Sequence, residues 1–580
     1  MELKLVYRGL RKVSDWILDG YFSEVVVEGK ENVPVEGPLV IASTHSNDMI
    51  DIAALAVTVP HREWRFLCFW AKSDMFKNPI AAAILRSSGA IPVRRNPNKA
   101  SSRSGATSGK SSPSKPQTSA EDMAARAALF GSTTKVLDKG GVVGLFPEGG
   151  SYTGWRIFQV LPGAAWCGVE HARSGKGREK KGVAIVPTAI TYTDKAKFLS
   201  RIHVRYGEPI LLSSYYDELF DPEVEPNVAA NTVVKKITAE MEKRLVGMTV
   251  NAPDWETICA VKAARNILWG DEDRIRLQDW VSINQRLAEA LGPASQAKTA
   301  LVKYHSLLYH ADVRHSVLES LNSSDTPSPP ILSTIARLPL TLVRFIAFLP
   351  SLALFWPGYI TGRLASKAFT NPLEEEAQCQ FKSVGAGLGI AFNLSVILGL
   401  LWRAPGSALK RLVFEGNDHR SLWASFGQGI SAAYLGVWVL AKWHNLLVKS
   451  NYRELQRLLT FWKIAKACLS TGQTVDLGPY TKPVYPVINP FIRQKVISED
   501  GEAEAGVLDA KAPPKIAASK LIPSLLEARK DARASLARLL VQNKELKAYL
   551  VQKGAVLSGG SSRQSEVHLR CCERCACFSC

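Results

Sequence analysis

No cysteine pattern in this chain supports a disulfide framework. Cys68, Cys167, Cys259, Cys379 and Cys468 stand singly, and the other five of the ten crowd between 571 and 580. That usage suits reduced thiols in a cytosolic setting. No basic-then-apolar leader with a cleavage site opens the chain, because Met1 to Arg11 mixes Lys, Glu and Arg with single apolar residues. Synthesis and catalysis on the cytosolic side are the expectation. Acidic residues are too few to balance the basic ones, 53 against 72, and the net charge of +19 calls for an anionic partner. Nucleic acid, an acidic membrane face and a phosphorylated metabolite all qualify. No nucleic-acid recognition module accompanies the charge, and the basic residues lie in a low-complexity segment and beside apolar ones, which makes nucleic acid the weakest of the three and not the expected partner. The terminal cysteines lack a following histidine after His568, so a lipidated tail fits them better than a zinc site, and no metal is expected.

What is present is an alternation. From Leu39 to about Ala252, short apolar runs at Leu39–Ser43, Arg65–Phe69, Ala90–Val93, Val142–Phe146, Val183–Thr191 and Ile202–Tyr206 alternate with helix-like segments. This predicts an α/β catalytic domain over 39–250. Ahead of it, 1–38 holds a lead-in and an aromatic-bearing helix around Trp16 to Phe22, flanked by Lys4, Arg8, Arg11 and Lys12. Such a helix can lie on an anionic bilayer or pack on the domain. The segment 96–119 is Ser-, Lys-, Pro- and Gly-rich with no acidic residue, and reads as a disordered insertion. A helical region is expected over 251–330, with Val233, Ile237, Met241 and Leu245 at helical spacing just before it.

Over 331–450, the stretches 345–362, 383–402 and 421–441 are free of charge. Each approaches the roughly 17 to 25 residues of a bilayer-crossing helix. Pro350 and Pro357 interrupt the first and Gly427 to Gly429 the third, so at least two are expected to enter the membrane, tilted or re-entrant. Residues 451–580 read as a cytosolic region with a helix over 521–550 and the cysteine-rich tail.

Three motifs carry chemistry. Acylating an alcohol from a thioester requires a base for the hydroxyl proton, and a neutral imidazole suits pH 7. His45, in Thr44-His45-Ser46-Asn47-Asp48-Met49-Ile50-Asp51, is that candidate. A carboxylate on its other nitrogen fixes the tautomer. Asp48 shares a regular helix face with His45, whereas Asp51 serves only if the segment is a turn leading into a helix. Gly89-Ala90-Ile91-Pro92-Val93-Arg94-Arg95 delivers a guanidinium to a strand end, where its planar fork takes a phosphate. An edge strand ending in solvated arginines is the plainer alternative. In Phe146-Pro147-Glu148-Gly149-Gly150-Ser151 the glycines admit a bound anion close to the backbone, and Glu148 stands at a strand end. Ile185-Val186-Pro187-Thr188-Ala189-Ile190-Thr191-Tyr192 adds a Pro-bearing strand, whose Val186 and Ile190 line an acyl channel or, more plainly, the core.

These four blocks, in this order, resemble those of the glycerolipid acyltransferase superfamily. Within it, Phe22 to Pro38, Ala252-Pro253-Asp254-Trp255-Glu256-Thr257 and the apolar C-terminal region resemble the membrane-bound glycerol-3-phosphate acyltransferases of fungi. The resemblance implies a mixed sheet followed by a membrane-embedded helical region, no cofactor, and acyl-CoA as acyl donor. The implied acceptors are glycerol 3-phosphate and dihydroxyacetone phosphate, acylated at sn-1 in an endoplasmic reticulum membrane with the catalytic domain cytosolic. It implies His45 as base with Asp51 as partner, Gly89 and Arg95 on the acceptor phosphate, and Glu148, Gly149, Gly150, Ser151 and Pro187 completing the substrate sites. Two departures stand out. Five residues separate His45 from Asp51 where the superfamily commonly has four, and Tyr152-Thr153 replaces His-Asp after Ser151. A lysophospholipid acyltransferase and a non-catalytic lipid-binding scaffold are the competing readings.

Overall fold

A computed structural model of the 580-residue chain describes residues 5–60, 66–93, 119–174, 182–292, 295–321, 330–371, 374–403, 422–469, 476–486, 489, 492 and 513–556. The expected insertion at 96–119 lies outside these apart from Ser119, where a helix begins, and so do Arg95 and the cysteine tail.

The strands are β1 (Glu24–Glu28), β2 (Leu39–Ser43), β3 (Leu67–Lys72), β4 (Ile91–Val93), β5 (Val142–Leu145), β6 (Ala184–Tyr192), β7 (Arg201–Tyr206) and β8 (Ile210–Leu211). They form one mixed sheet in the order β1-β7-β6-β2-β5-β3-β4, with β8 on β6. From β6 to β4 the neighbours run parallel, while β6 and β7 are antiparallel. All residues of β2 and β5 are buried. That is why these strands read as continuous apolar runs, since a parallel sheet covered on both faces has no polar side.

The helices are α1 (Leu5–Tyr21), α2 (Asp48–Thr58), α3 (Pro79–Ser87), α4 (Ser119–Leu137), α5 (Gly163–Arg173) and α6 (Pro226–Gly247) in the first part. Leu18, Ile50, Ala54 and Leu55 bring α1 and α2 onto one sheet face with Leu39 and Ile41. Ala164, Val169, Val233 and Ile237 bring α5 and α6 onto the other, over Val40 and Val143. Because β2 to β6 are parallel, their carboxyl ends share one edge of the sheet, where ligands of open α/β sheets bind.

A second, helical core follows: α7 (Trp255–Trp269), α8 (Leu277–Ala290), α9 (Gln296–Ala311) and α10 (His315–Leu321). Asp254 explains the start of α7, because its carboxylate caps the Thr257 N–H at 2.7 Å and pairs with Lys298 at 2.7 Å. After it come α11 (Pro330–Phe369), α12 (Glu375–Arg403) and α13 (Leu422–Leu469), then α14 (Ala518–Gln542) and α15 (Lys544–Gln552). Leu521, Leu525, Ala528 and Leu536 of α14 are buried in the same core as α7 to α9.

Among the described residues two helices are long and apolar enough to cross a membrane, Leu338–Phe369 and Glu375–Leu401, with mean hydropathy 1.9 and 2.0. Few of their residues are buried, 17% and 11%, so their apolar surface faces outward. Helix α11 continues through Pro350 and Pro357 rather than breaking. Pro357 cannot donate to the Ala353 carbonyl one turn back. Asn393 of α12 donates to that carbonyl instead, at 2.8 Å.

Candidate active site

Strand β2 ends at Ser43 and α2 begins only at Asp48, so Thr44 to Asn47 form a loop at the carboxyl edge. Asp48, at φ +41°, turns the chain into the helix. The loop folds back over the first turn of α2, where Asp51 Oδ2 accepts the backbone N–H groups of Ser46 at 2.8 Å and Asn47 at 2.7 Å. His45 Nδ1 lies 3.0 Å from the same oxygen. A carboxylate oxygen accepts, so Nδ1 carries the proton and Nε2 keeps its lone pair. Asp51 Oδ1 accepts the Tyr192 hydroxyl at 2.6 Å, and the Asp51 side chain is fully buried. Four donors and the positive end of α2 offset the cost of removing that carboxylate from water. The His45 ring lies flat on Phe146, with centroids 3.9 Å apart and planes at 14°.

Asp48 does not take the partner position. His45 precedes the helix, so the three-residue spacing does not bring the two side chains onto one face. The Asp48 N–H donates to Ser151 Oγ at 3.1 Å, and its carboxylate receives Gln380 Nε2 at 3.3 Å. Burial pushes its pKa up, opposed chiefly by His45.

Glu148 follows β5 at the same edge and accepts the His45 backbone N–H at 2.7 Å. Burial pushes its pKa up to about 7, while hydrogen bonds from Tyr152 and the His45 N–H pull it back. Gln159 Nε2 holds the Glu148 carbonyl at 2.6 Å. Gly149 sits at φ +80°, and a Cβ there would meet Leu161 Cδ1 at 2.7 Å, so only glycine makes this turn. Gly150 is buried beside it. Ser151 ties the turn to α2 through its hydroxyl, and its carbonyl accepts Asn489 Nδ2 at 2.7 Å.

Gly89 has a backbone reason of its own. At φ +86° it ends α3, its N–H donating to Arg86 at 3.0 Å while the Ala90 N–H reaches Leu85 at 2.9 Å. These bonds form the six-residue cap that terminates a helix with glycine. Strand β4 then runs to Val93 at the shared carboxyl edge, two strands beyond β5. Pro187 lies within β6 opposite Ala42, between the residues that pair with β8 and those that pair with β7. A missing N–H is tolerated where the ladder changes partner. Its carbonyl accepts the Gly207 N–H at 2.8 Å.

Several contributors were given no role by the motifs. Tyr192 closes the Pro187 strand, two residues past Ile190 on the same face, and its block was read for its proline and apolar residues alone. Gln380 and Glu376 come from the first turns of α12, far along the chain. Glu376 accepts the Thr153 hydroxyl at 2.7 Å, and Gln380 Oε1 accepts the Met49 N–H at 3.2 Å. Among the described residues no group of three or more His, Cys, Asp or Glu side chains is arranged to hold a metal ion.

Residues 24–191 match the acyltransferase family model. Over 249 residues the chain is 28% identical to glycerol-3-phosphate O-acyltransferase 2 of Saccharomyces cerevisiae, a match covering 41% of this chain and 32% of that protein. Glycerol-3-phosphate O-acyltransferase 1 of the same yeast is 27% identical over 184 residues, 30% of this chain and 22% of its own. An uncharacterized acyltransferase of Schizosaccharomyces pombe is 22% identical over 468 residues, 69% of this chain and 67% of its own. The chain thus spans about a third or less of the two yeast glycerol-3-phosphate acyltransferases it matches. The matched stretch opens on β1 and closes on β6, around the His45–Asp51 pair, so the similarity to the acyltransferase family lies in the part of the chain that holds this site.

Proposed function

We propose that this protein is a membrane-bound, acyl-CoA-dependent acyltransferase that converts glycerol 3-phosphate to lysophosphatidate at sn-1 and also acylates dihydroxyacetone phosphate. The observation that carries the reading is the His45 imidazole, its Nδ1 bound to a fully buried Asp51. Nε2 accepts the acceptor's hydroxyl proton as the oxygen attacks the thioester carbonyl, and the imidazolium returns that proton to the departing CoA sulfur. Asp51 stabilises the transient imidazolium, and no covalent acyl-enzyme is needed. Arg95 takes the acceptor's phosphate, supported by the delivery of β4 to the carboxyl edge. The two apolar helices support membrane residence, and the resemblance to fungal enzymes supports the endoplasmic reticulum with the catalytic domain cytosolic. Protease protection of that domain in sealed microsomes would contradict the orientation.

His45→Ala is expected to abolish CoA release from acyl-CoA and glycerol 3-phosphate while the protein stays folded and membrane-associated. Asp51→Asn, which presents the wrong tautomer, is expected to lower kcat by about 10²- to 10⁴-fold. Near-normal turnover in His45→Ala refutes the assignment. Purified membranes offered radiolabelled glycerol 3-phosphate, dihydroxyacetone phosphate or a lysophospholipid decide the acceptor. Labelling of the lysophospholipid alone would overturn the proposed substrate.

A further inference from the structure

Asp48 is a carboxylate beside the catalytic base that the proposed mechanism leaves unused. Its backbone lies at φ +41°, in the left-handed region that residues other than glycine seldom enter, Asn and Asp entering it more readily than most. Such a position persists where the surrounding structure holds it. Here the Asp48 N–H donates to Ser151 Oγ at 3.1 Å, on the turn after Glu148, and Gln380 Nε2 of α12 donates to Asp48 Oδ2 at 3.3 Å. Gln380 Oε1 accepts the Met49 N–H at 3.2 Å, so one amide holds two successive residues of α2. The carboxylate is thereby fixed at the carboxyl edge of the sheet, between the Glu148 turn and the first turns of α12. Burial raises its pKa and the His45 imidazole opposes this more than any other group, so the two lie within electrostatic reach of each other. Both are part-buried, whereas Asp51 is fully buried on the Nδ1 side of the ring. A carboxylate offers about four lone-pair sites, and Gln380 and the Ser151 hydroxyl use two. Acceptor capacity is left for a ligand.

We propose that Asp48 accepts a hydrogen bond from the acceptor's second hydroxyl, the one on the carbon next to the hydroxyl that His45 deprotonates. Two neighbouring hydroxyls of a three-carbon polyol phosphate then meet two different groups. Nε2 of His45 takes the proton of the first, and the Asp48 carboxylate holds the second. Holding it fixes which hydroxyl faces the thioester. A site built to hydrogen-bond a hydroxyl rejects an analogue that lacks it, because the analogue leaves a desolvated acceptor unpaired. A ketone at the same carbon presents only lone pairs, which a carboxylate repels. Asp48 therefore also sets the order of preference between glycerol 3-phosphate and dihydroxyacetone phosphate.

The role of Asp48 rests on the acyltransferase reading above, and the test separates the two. The full chain in membranes is assayed for CoA release with glycerol 3-phosphate, with dihydroxyacetone phosphate and with 3-hydroxypropyl phosphate, which is glycerol 3-phosphate without its middle hydroxyl. The unchanged protein is expected to favour glycerol 3-phosphate over 3-hydroxypropyl phosphate by about 10- to 100-fold in kcat/KM, the worth of one hydrogen bond to a charged group. In Asp48→Gly, which suits the positive φ and keeps the N–H to Ser151, that ratio is expected to fall to near one. A purely structural role would lower both acceptors together and leave the ratio alone, which overturns the assignment. An unchanged protein that does not discriminate between the two overturns it as well. Should Asp48→Gly lose turnover with both, Asp48→Asn decides, because its amide keeps the shape and donates to a ketone. Its kcat/KM for dihydroxyacetone phosphate relative to glycerol 3-phosphate is expected to rise at least several-fold, and an unaltered ratio overturns the assignment. An unchanged protein that acylates neither phosphorylated acceptor overturns the proposed function itself.

Discussion

Two carboxylates sit beside His45 and their surroundings differ. Asp51 has four donors converging on it, so its negative charge is stabilised although it is out of water. Glu148 has fewer, and burial pushes its pKa up to about 7. Unfolded, this carboxyl ionises near 4.5. Between those two pH values the folded protein keeps a proton that the unfolded chain has released. Stability therefore falls as pH rises from about 4.5 to about 7, by at most ~3 kcal/mol from this group. Glu148→Gln keeps an oxygen for the His45 N–H and removes the ionisation. Its Tm, followed by calorimetry across that window, is expected to fall less steeply with pH than that of the unchanged protein. An identical slope would show that Glu148 does not titrate there. The base and the turn were legible from their motifs, but the choice of Asp51 over Asp48 came from the family resemblance and not from the spacing. It depends on the helix starting after His45, and helix boundaries are weakly encoded in local sequence.

Among elements, α11 and α12 form a hairpin whose crossing is made of small residues. Gly358 and Gly362 of α11 face Ala386 and Ile390, and Gly385 of α12 faces Ala365. A Cβ on Gly385 would stand 2.6 Å from the Ala365 Cβ, and one on Gly362 would stand 2.6 Å from the Lys382 carbonyl. Close backbone approach through glycines spaced by four is how helices associate where no hydrophobic effect drives them together. Gly385→Val forces the helices apart and is expected to cost about 1–3 kcal/mol. Because the same helix carries Gln380 and Glu376 to the catalytic loop, kcat is expected to fall along with Tm in detergent. A lowered Tm with unchanged kcat would separate the hairpin from the site. The apolar stretches were visible as charge-free runs, whereas their pairing was not, since the glycines acquire meaning only once a facing helix is known. Strand β1 went unread inside the lead-in for a similar reason. Its Val25, Val26 and Val27 are too few to signal a strand without β7 beside them.

Across the molecule, the chain returns on itself. The helical core begun by α7 to α9 is closed by α14, with Leu521 and Leu525 fully buried in it. Leu525→Ala is expected to destabilise this core by about 2–5 kcal/mol. Limited proteolysis is expected to cut first within 251–321 and 513–556, while the β2–β6 sheet stays protected. Simultaneous loss of both would show one cooperative unit. The α/β alternation, the His45 and Glu148 motifs and the apolar runs follow from local order along the chain, because period, turn chemistry and hydrophobicity act over a few residues. The Tyr192 hydroxyl on Asp51, the arrival of Gln380 and Glu376 over the catalytic loop and the closing of the helical core by α14 come only from folding. Each joins residues whose proximity depends on how whole elements pack, and no short window of sequence contains that information.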